Sequence, residues 1–122
     1  MDASRWTAKQ VFLYFLYRDP VDMRKGAAGL AAIVSLELGR DPADNTLYVF
    51  TNKSRNKIKL LIWHLNGYWV LYKSVEKQRF HWPDWFSDQS MTMDHQQLDY
   101  LIDGYNLNGM RPHKKVAFSH VF

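Results

Sequence analysis

Lysine and arginine placement gives this sequence its clearest chemical potential. Lys53, Arg55, Lys57, Lys59, Lys73, Lys77 and Arg79 lie in one window whose single acid is Glu76, and Arg111, Lys114 and Lys115 form a second window with none. Of sixteen basic residues, ten fall in these two windows, against one of twelve acids. Cations at fixed positions neutralise neighbouring phosphates and release their counterions, so the pattern points to a polyanion-binding face with DNA as the expected partner. A solvated basic face that serves only solubility is the ordinary alternative. Arg24 and Lys25 add a third cationic spot. They stand early in a predicted helix, where the dipole disfavours positive charge. Either a phosphate or the carboxylates of Asp19 and Asp22 would offset that penalty. No residue is identifiable as a base reader, which leaves sequence specificity open.

Other chemistries find less support. The histidines at 64, 81, 95, 113 and 120 show no HxxxH or HExxH spacing, and there is no cysteine to help them hold a metal. His64 and His81 read as packed or surface residues, and His113 belongs to the basic tail. Two-metal strand cleavage needs clustered acids. The chain has two glutamates, Glu37 and Glu76; Asp19 and Asp22 suit a turn and a helix cap, and Asp99 and Asp103 the outer face of a late helix. Neither GxSxG nor GxxxxGK[ST] occurs. Gly26-Ala27-Ala28-Gly29 has the form of a GxxG clamp, but close helix packing explains it equally well. The aromatic strands around Tyr48 and Trp69 loosely resemble an RNA-recognition sheet, although the helix that should separate them is replaced by a basic loop and a strand. The expectation is a binding protein, not an enzyme, with no metal and no cofactor.

These residues need a scaffold. Val11–Tyr17 is aromatic and β-prone and reads as a buried strand, with a helix from near Thr7 as the alternative. Asp19-Pro20 makes a turn. Asp22 is the expected N-cap of a helix over Met23–Leu38 that Gly39 ends, with Met23, Ala27, Leu30, Val34 and Leu38 as its core stripe. A meander follows: strand Leu47–Thr51, basic connection Asn52–Asn56, strand Lys57–His64, a turn at Asn66-Gly67, and strand Tyr68–Ser74. Period-2 alternation puts Lys57, Lys59, Leu61 and Trp63 on one face of the second strand, and Ile58, Leu60, Ile62 and His64 on the other. Glu76–Trp82 is a candidate edge strand stopped by Pro83. Asp94 and Gln97 form a capping box that opens a last helix with Leu98, Leu101, Ile102 and Tyr105 inward. The predicted class is α+β: an antiparallel meander of three to five strands packed against two helices, in one domain over 1–122, with its core at about 11–105 and a basic tail over 106–122.

Composition agrees with that frame. A chain of 122 residues, 47% apolar and 23% charged, suits one folded domain. A net charge of +4 and a sequence pI near 9.4 fit a polyanion partner. The absence of cysteine suits a reducing compartment. No secretory pattern is read at the start, and no apolar run approaches the roughly 20 residues of a membrane span. A cytoplasmic, nucleoid-associated location and no membrane partner are therefore expected.

Longer motifs carry a resemblance. FLYRDPVDMRKGAAGLAAIVSLELG, from Phe15 to Gly39, is similar to the opening of the TnpB-like accessory proteins of IS-sixty-six type bacterial insertion sequences. LYVFTNKSRNKIKLLIWHLNGYWVLYKSVEKQRFHWP, from Leu47 to Pro83, resembles the same family through its V-F-x-N strand end, basic turn, K-[IL]-K-L-L run, N/D-G, Y-K and E-K-x-R-F-x-W-P. Met93 to Gly104 fits the family's closing capped helix. Residues 1–14 and the tail are not diagnostic. The resemblance implies the product of a second reading frame beside a separate, larger DDE-type transposase, needed for efficient transposition. The RNA-guided nuclease that shares the TnpB name is a different protein. Asp22, Met23, Arg24, Lys25 and Gly26 match one family signature, Lys57 and Lys59 a second, and Glu76, Lys77, Arg79, Phe80, Trp82 and Pro83 a third; none brings a catalytic role. Two functions follow as expectations. One is DNA binding at the element ends through the basic hairpin, the DMRK turn and the tail. The other is an adaptor that docks on the transposase through its aromatic sheet or the outer face of its last helix. A homo-oligomer stays open.

Overall fold

The computed structural model describes residues 13–83 and 86–106. Within them the order is β1 (Leu13–Tyr17), α1 (Ala27–Leu36), β2 (Thr46–Thr51), β3 (Lys57–His64), β4 (Gly67–Ser74), β5 (Ser90–Met93) and α2 (His95–Asp103). The five strands form one sheet in the order β4-β3-β2-β1-β5. The α+β class and the two helices are as expected, and the aromatic first segment is a strand from Leu13. Its possible extension toward Thr7 and the tail with Arg111, His113, Lys114 and Lys115 lie outside the described residues.

The expected meander is β2–β3–β4, paired antiparallel from Tyr48↔Leu61 through His64↔Gly67. β5 is also antiparallel to β1, but β1 runs parallel to β2, with Phe15 beside Tyr48. Parallel neighbours need a crossover of about a dozen residues or more, usually helical. Residues 18–45, with α1 among them, supply it.

Because the sheet is covered on both faces, its central strand β2 is buried throughout. Alternation splits the core in two. Tyr48, Phe50 and Leu61 face α1 and meet Leu30 and Val34. Leu47, Val49, Ile58, Leu60 and Ile62 face the other way, toward Leu98 and Leu101 of α2 and toward Phe80 and Trp82.

Three local expectations are revised. The first helix starts at Ala27 after Gly26, not at Met23 after an Asp22 cap. Asp22 instead closes a tight turn: its carboxylate accepts from the Arg24 backbone N–H at 2.9 Å, and its carbonyl from the Lys25 N–H at 3.0 Å. Such local side-chain bonds compete with helix. Moreover, the Met23 and Lys25 carbonyls, which a longer helix would use, accept from Lys59 Nζ. The strand candidate Glu76–Trp82 is irregular and leaves β4 as one edge of the sheet, while β5 pairs with β1 at the other; Phe80 and Trp82 enter the core. The β3–β4 turn is centred on Leu65 and Asn66, with Gly67 already paired in β4. Leu65 adopts φ 54 and is 83% exposed.

The last helix follows its sequence signals. Asp94 accepts from Gln97 N at 2.7 Å, the Gln97 side chain accepts from Asp94 N at 2.9 Å, and Gly104 ends the helix at φ 95. Tyr105, expected inward, instead lies one residue beyond Gly104, 45% exposed and edge-on to Tyr100, which is the aromatic that packs inward.

Candidate nucleic-acid interface

Three loops converge at the end of the sheet where β2 and β4 finish and β3 begins. The first is the β2–β3 connection. Asn52 organises it, its Oδ1 accepting from the backbone N–H of both Asn56 and Lys57 at 3.1 Å while its Nδ2 donates to Asn56 Oδ1 at 2.7 Å. Arg55 sits at φ 56, a left-handed conformation uncommon for a residue with a Cβ. Lys53 and Arg55 are thereby held outward on a rigid turn.

The segment after β4 runs along that turn. Val75 N donates to the Asn56 carbonyl at 2.9 Å and Phe80 N to the Arg55 carbonyl at 2.7 Å. Phe80 and Trp82 anchor it from below; Trp82 is 1% exposed, and its indole N–H donates to the Tyr17 carbonyl at 3.0 Å. Lys77 and Arg79, exposed between these anchors, thus come beside Arg55 although more than twenty residues separate them in sequence.

The DMRKG turn is the third loop. Val21 N donates to the Thr51 carbonyl at 2.8 Å, which fixes the turn to the end of β2. Lys59 reaches across from β3 and donates to the carbonyls of Met23 and Lys25, each at 2.8 Å. The Lys25 stem lies over Gly29, where a Cβ would come within 3.1 Å of it. The bare glycine therefore accommodates that side chain.

The cations are in different states. Arg24 is bound by Asp22 through three side-chain hydrogen bonds, and this pairing pulls the Asp22 carboxyl down from 3.8 to about 2. Lys59 is occupied by carbonyls on the α1 face. Lys73 projects to the opposite face and donates to the Ile102 carbonyl at 2.8 Å, where a cation suits a helix C-terminus. Lys25, Lys53, Arg55, Lys57, Lys77 and Arg79 have no ion pair among the described residues. Glu76 and Asp22, the latter paired with Arg24, are acids in their midst, and Glu37 lines a groove on α1 together with Lys25. Asp19, paired with Arg18, and Asp88 lie toward the β1–β5 side of this end, and Asp103 closes α2. The positive surface is thus a corner over β2, β3 and β4.

The opposite end is built differently. Arg40 is enclosed there, donating to Tyr48 Oη at 2.9 Å and to Asp44 at 2.9 Å, with its guanidinium 4.2 Å from the centre of the Phe15 ring. Burial pushes the Tyr48 hydroxyl up, and the bond to Tyr48 pushes Arg40 up. Tyr14 Oη lies 3.0 Å from His95 Nδ1, and His95 Nε2 lies 3.4 Å from Asp99, a chain that ties α2 to β1. Sequence reading passed over it because its members stand 81 positions apart. It also missed the carbonyl partners of Lys59 and Lys73, which only the folded register creates. Among the described residues no three histidine, aspartate or glutamate side chains gather as metal ligands.

The family model described as IS66 Orf2 like protein matches residues 12–112. The chain belongs to that family. IS66 Orf2-like proteins are transposition accessory proteins of insertion sequences. Two relatives come from Sinorhizobium fredii (strain NBRC 101917 / NGR234). Uncharacterized protein y4jC is 29% identical over 85 residues, covering 70% of this chain and 72% of the relative. Uncharacterized protein y4hO is 31% identical over 83 residues, covering 68% and 71%. No solved structure matches significantly. The convergent turns at 22–26, 52–56 and 75–83 all fall inside the span that the family model matches. No helix among the described residues is long and apolar enough to cross a membrane.

Proposed function

We propose that this IS66 Orf2-like protein assists transposition by binding DNA of the element ends through the corner formed by its three basic turns. The observation that carries the reading is the meeting of Lys25, Lys53, Arg55, Lys57, Lys77 and Arg79 on backbone that hydrogen bonds hold in place. Rigid cations contact phosphates with less ordering cost than mobile ones, and phosphate contacts position a protein without reading bases. Lys59 and Lys73 act as buttresses in this scheme, and the separate transposase performs the chemistry. Binding to labelled element-end duplex and to a scrambled duplex, measured across salt, tests it. Affinity should fall steeply with salt, and the triple change Lys53→Gln, Arg55→Gln, Lys57→Gln should flatten the log–log slope by roughly 0.9 for each phosphate that is no longer neutralised. Salt-independent or absent binding defeats the reading.

A second reading, docking on the transposase, is favoured by the β3–β4 hairpin. Leu65 at 83% and Trp69 at 41% exposure stand at the end remote from the basic corner. Loss of transposase capture by Leu65→Asn, with DNA binding retained, supports it.

A further inference from the structure

We propose that Tyr72 is a base-stacking platform, which gives the basic corner a preference for unpaired nucleotides over continuous duplex. The inference rests on the DNA-binding reading above and specifies its substrate. Among the described residues Tyr72 is the most exposed aromatic, at 54%. It contributes little to the core, in contrast to Tyr48 and Phe50 on the same face of the sheet, which are fully buried. Strand propensity alone accounts for a tyrosine on an edge strand, but not for the company this one keeps.

Register places Tyr72 opposite Lys59 and puts Lys57 opposite Ser74, so Tyr72, Lys57 and Lys59 share one face at the basic end. The Lys59 ammonium lies 5.6 Å from the ring centre. It is also fixed by the carbonyls of Met23 and Lys25, each at 2.8 Å. A cation so held steadies the ring through its π-face and is itself committed to carbonyls. What remains is a solvent-facing aromatic surface, with Lys57 two residues from Lys59 on the same strand face to receive a phosphate. Single-stranded nucleic acid is bound by this combination: a positive track for the backbone and an aromatic face for a base. In duplex the bases are stacked on one another, and the ring has nothing to receive.

Fluorescence anisotropy with an oligothymidylate of about a dozen nucleotides, and with a duplex, tests the proposal on the full chain at about 50 mM and about 200 mM salt. Wild type, Tyr72→Ala, Tyr72→Phe and Lys57→Gln are compared. Tyr72→Ala should weaken single-strand binding by roughly 5- to 150-fold and leave duplex affinity within about 2-fold. Tyr72→Phe, which keeps the ring, should stay near wild type, and Lys57→Gln should weaken both ligands and flatten both salt slopes. Unchanged duplex binding also shows that the alanine variant is folded. If wild type binds duplex with a salt slope but ignores the single strand, or if Tyr72→Ala binds the single strand as well as wild type does, the platform is overturned and the basic corner stands. If neither DNA form is bound, both proposals fall.

Discussion

Lys59 in β3 and Lys25 in the DMRKG turn, 34 positions apart, are joined by a hydrogen bond of 2.8 Å in which the ammonium of one donates to the backbone carbonyl of the other. With the companion bond to Met23, it fastens the crossover loop to the sheet and stops α1 from beginning earlier. Substituting Lys59→Met keeps the aliphatic stem and removes the donor. Hydrogen bonds to a charged group contribute about 1.5–3 kcal/mol each when enclosed. Because Lys59 is partly exposed, a total loss of roughly 1–2 kcal/mol is expected, seen as a melting point lower by roughly 3–8 °C. The salt slope of DNA binding should hardly change, since this cation is already used inside the protein. A flattened slope with unchanged melting would reverse the assignment and make Lys59 a phosphate contact.

How much of this was legible follows from the range of each interaction. The capping box at Asp94 and Gln97, the β2–β3–β4 meander and the alternation of β3 depend on neighbours in sequence, and they appear as read. The start of α1 does not, because the Met23 and Lys25 carbonyls are claimed by a lysine from another element. The parallel pairing of β1 with β2 was signalled by strand, helix and strand in succession, but the antiparallel meander that follows drew the reading toward one topology. At the candidate site, the two charge windows were visible as composition. That Lys77 and Arg79 come beside Arg55 depends on Phe80 and Trp82 being drawn into the core, a tertiary event without a local period.

Trp82 carries the anchoring of that segment. It is 1% exposed, and its indole bonds to the Tyr17 carbonyl, so truncation leaves both a cavity and an unsatisfied acceptor. Trp82→Ala should cost about 3–5 kcal/mol, and Trp82→Phe less, because most of the volume is kept. Denaturant unfolding at constant m-value measures both. The two variants should also differ in amide exchange at Phe80, whose N–H bonds to the Arg55 carbonyl. Equal stabilities for Trp82→Ala and wild type would show that the segment is not anchored through this ring.

Leu65 combines φ 54 with near-complete exposure. A left-handed conformation costs an ordinary L-residue roughly 1–2 kcal/mol, and asparagine tolerates it better. Leu65→Asn should therefore raise stability by up to about 1 kcal/mol, with a higher denaturant midpoint. Strain retained at an exposed leucine is what a contact site for another protein would show, so the same variant reports on transposase capture. A destabilised Leu65→Asn would mean that the leucine packs somewhere that its exposure does not reveal.

Asp22 pairs with Arg24 at 2.6 Å on the surface, and the sign of its titration follows from the pairing. Its carboxyl is depressed from 3.8 to about 2, chiefly by the side-chain hydrogen bonds from Arg24. A depressed acid contributes stability above its unfolded value, here 3.8, and loses that contribution as pH falls through about 2. The pair is solvent-exposed, so its removal should scarcely move the melting point at neutral pH. Asp22→Asn keeps an oxygen for the Arg24 backbone N–H, preserves the turn, and releases the guanidinium. If the corner binds DNA as proposed, the freed Arg24 neutralises one more phosphate, and the salt slope should steepen by about 0.9. An unchanged slope in Asp22→Asn would place the DMRK turn outside the contact surface and confine binding to the Lys53–Lys57 and Lys77–Arg79 segments.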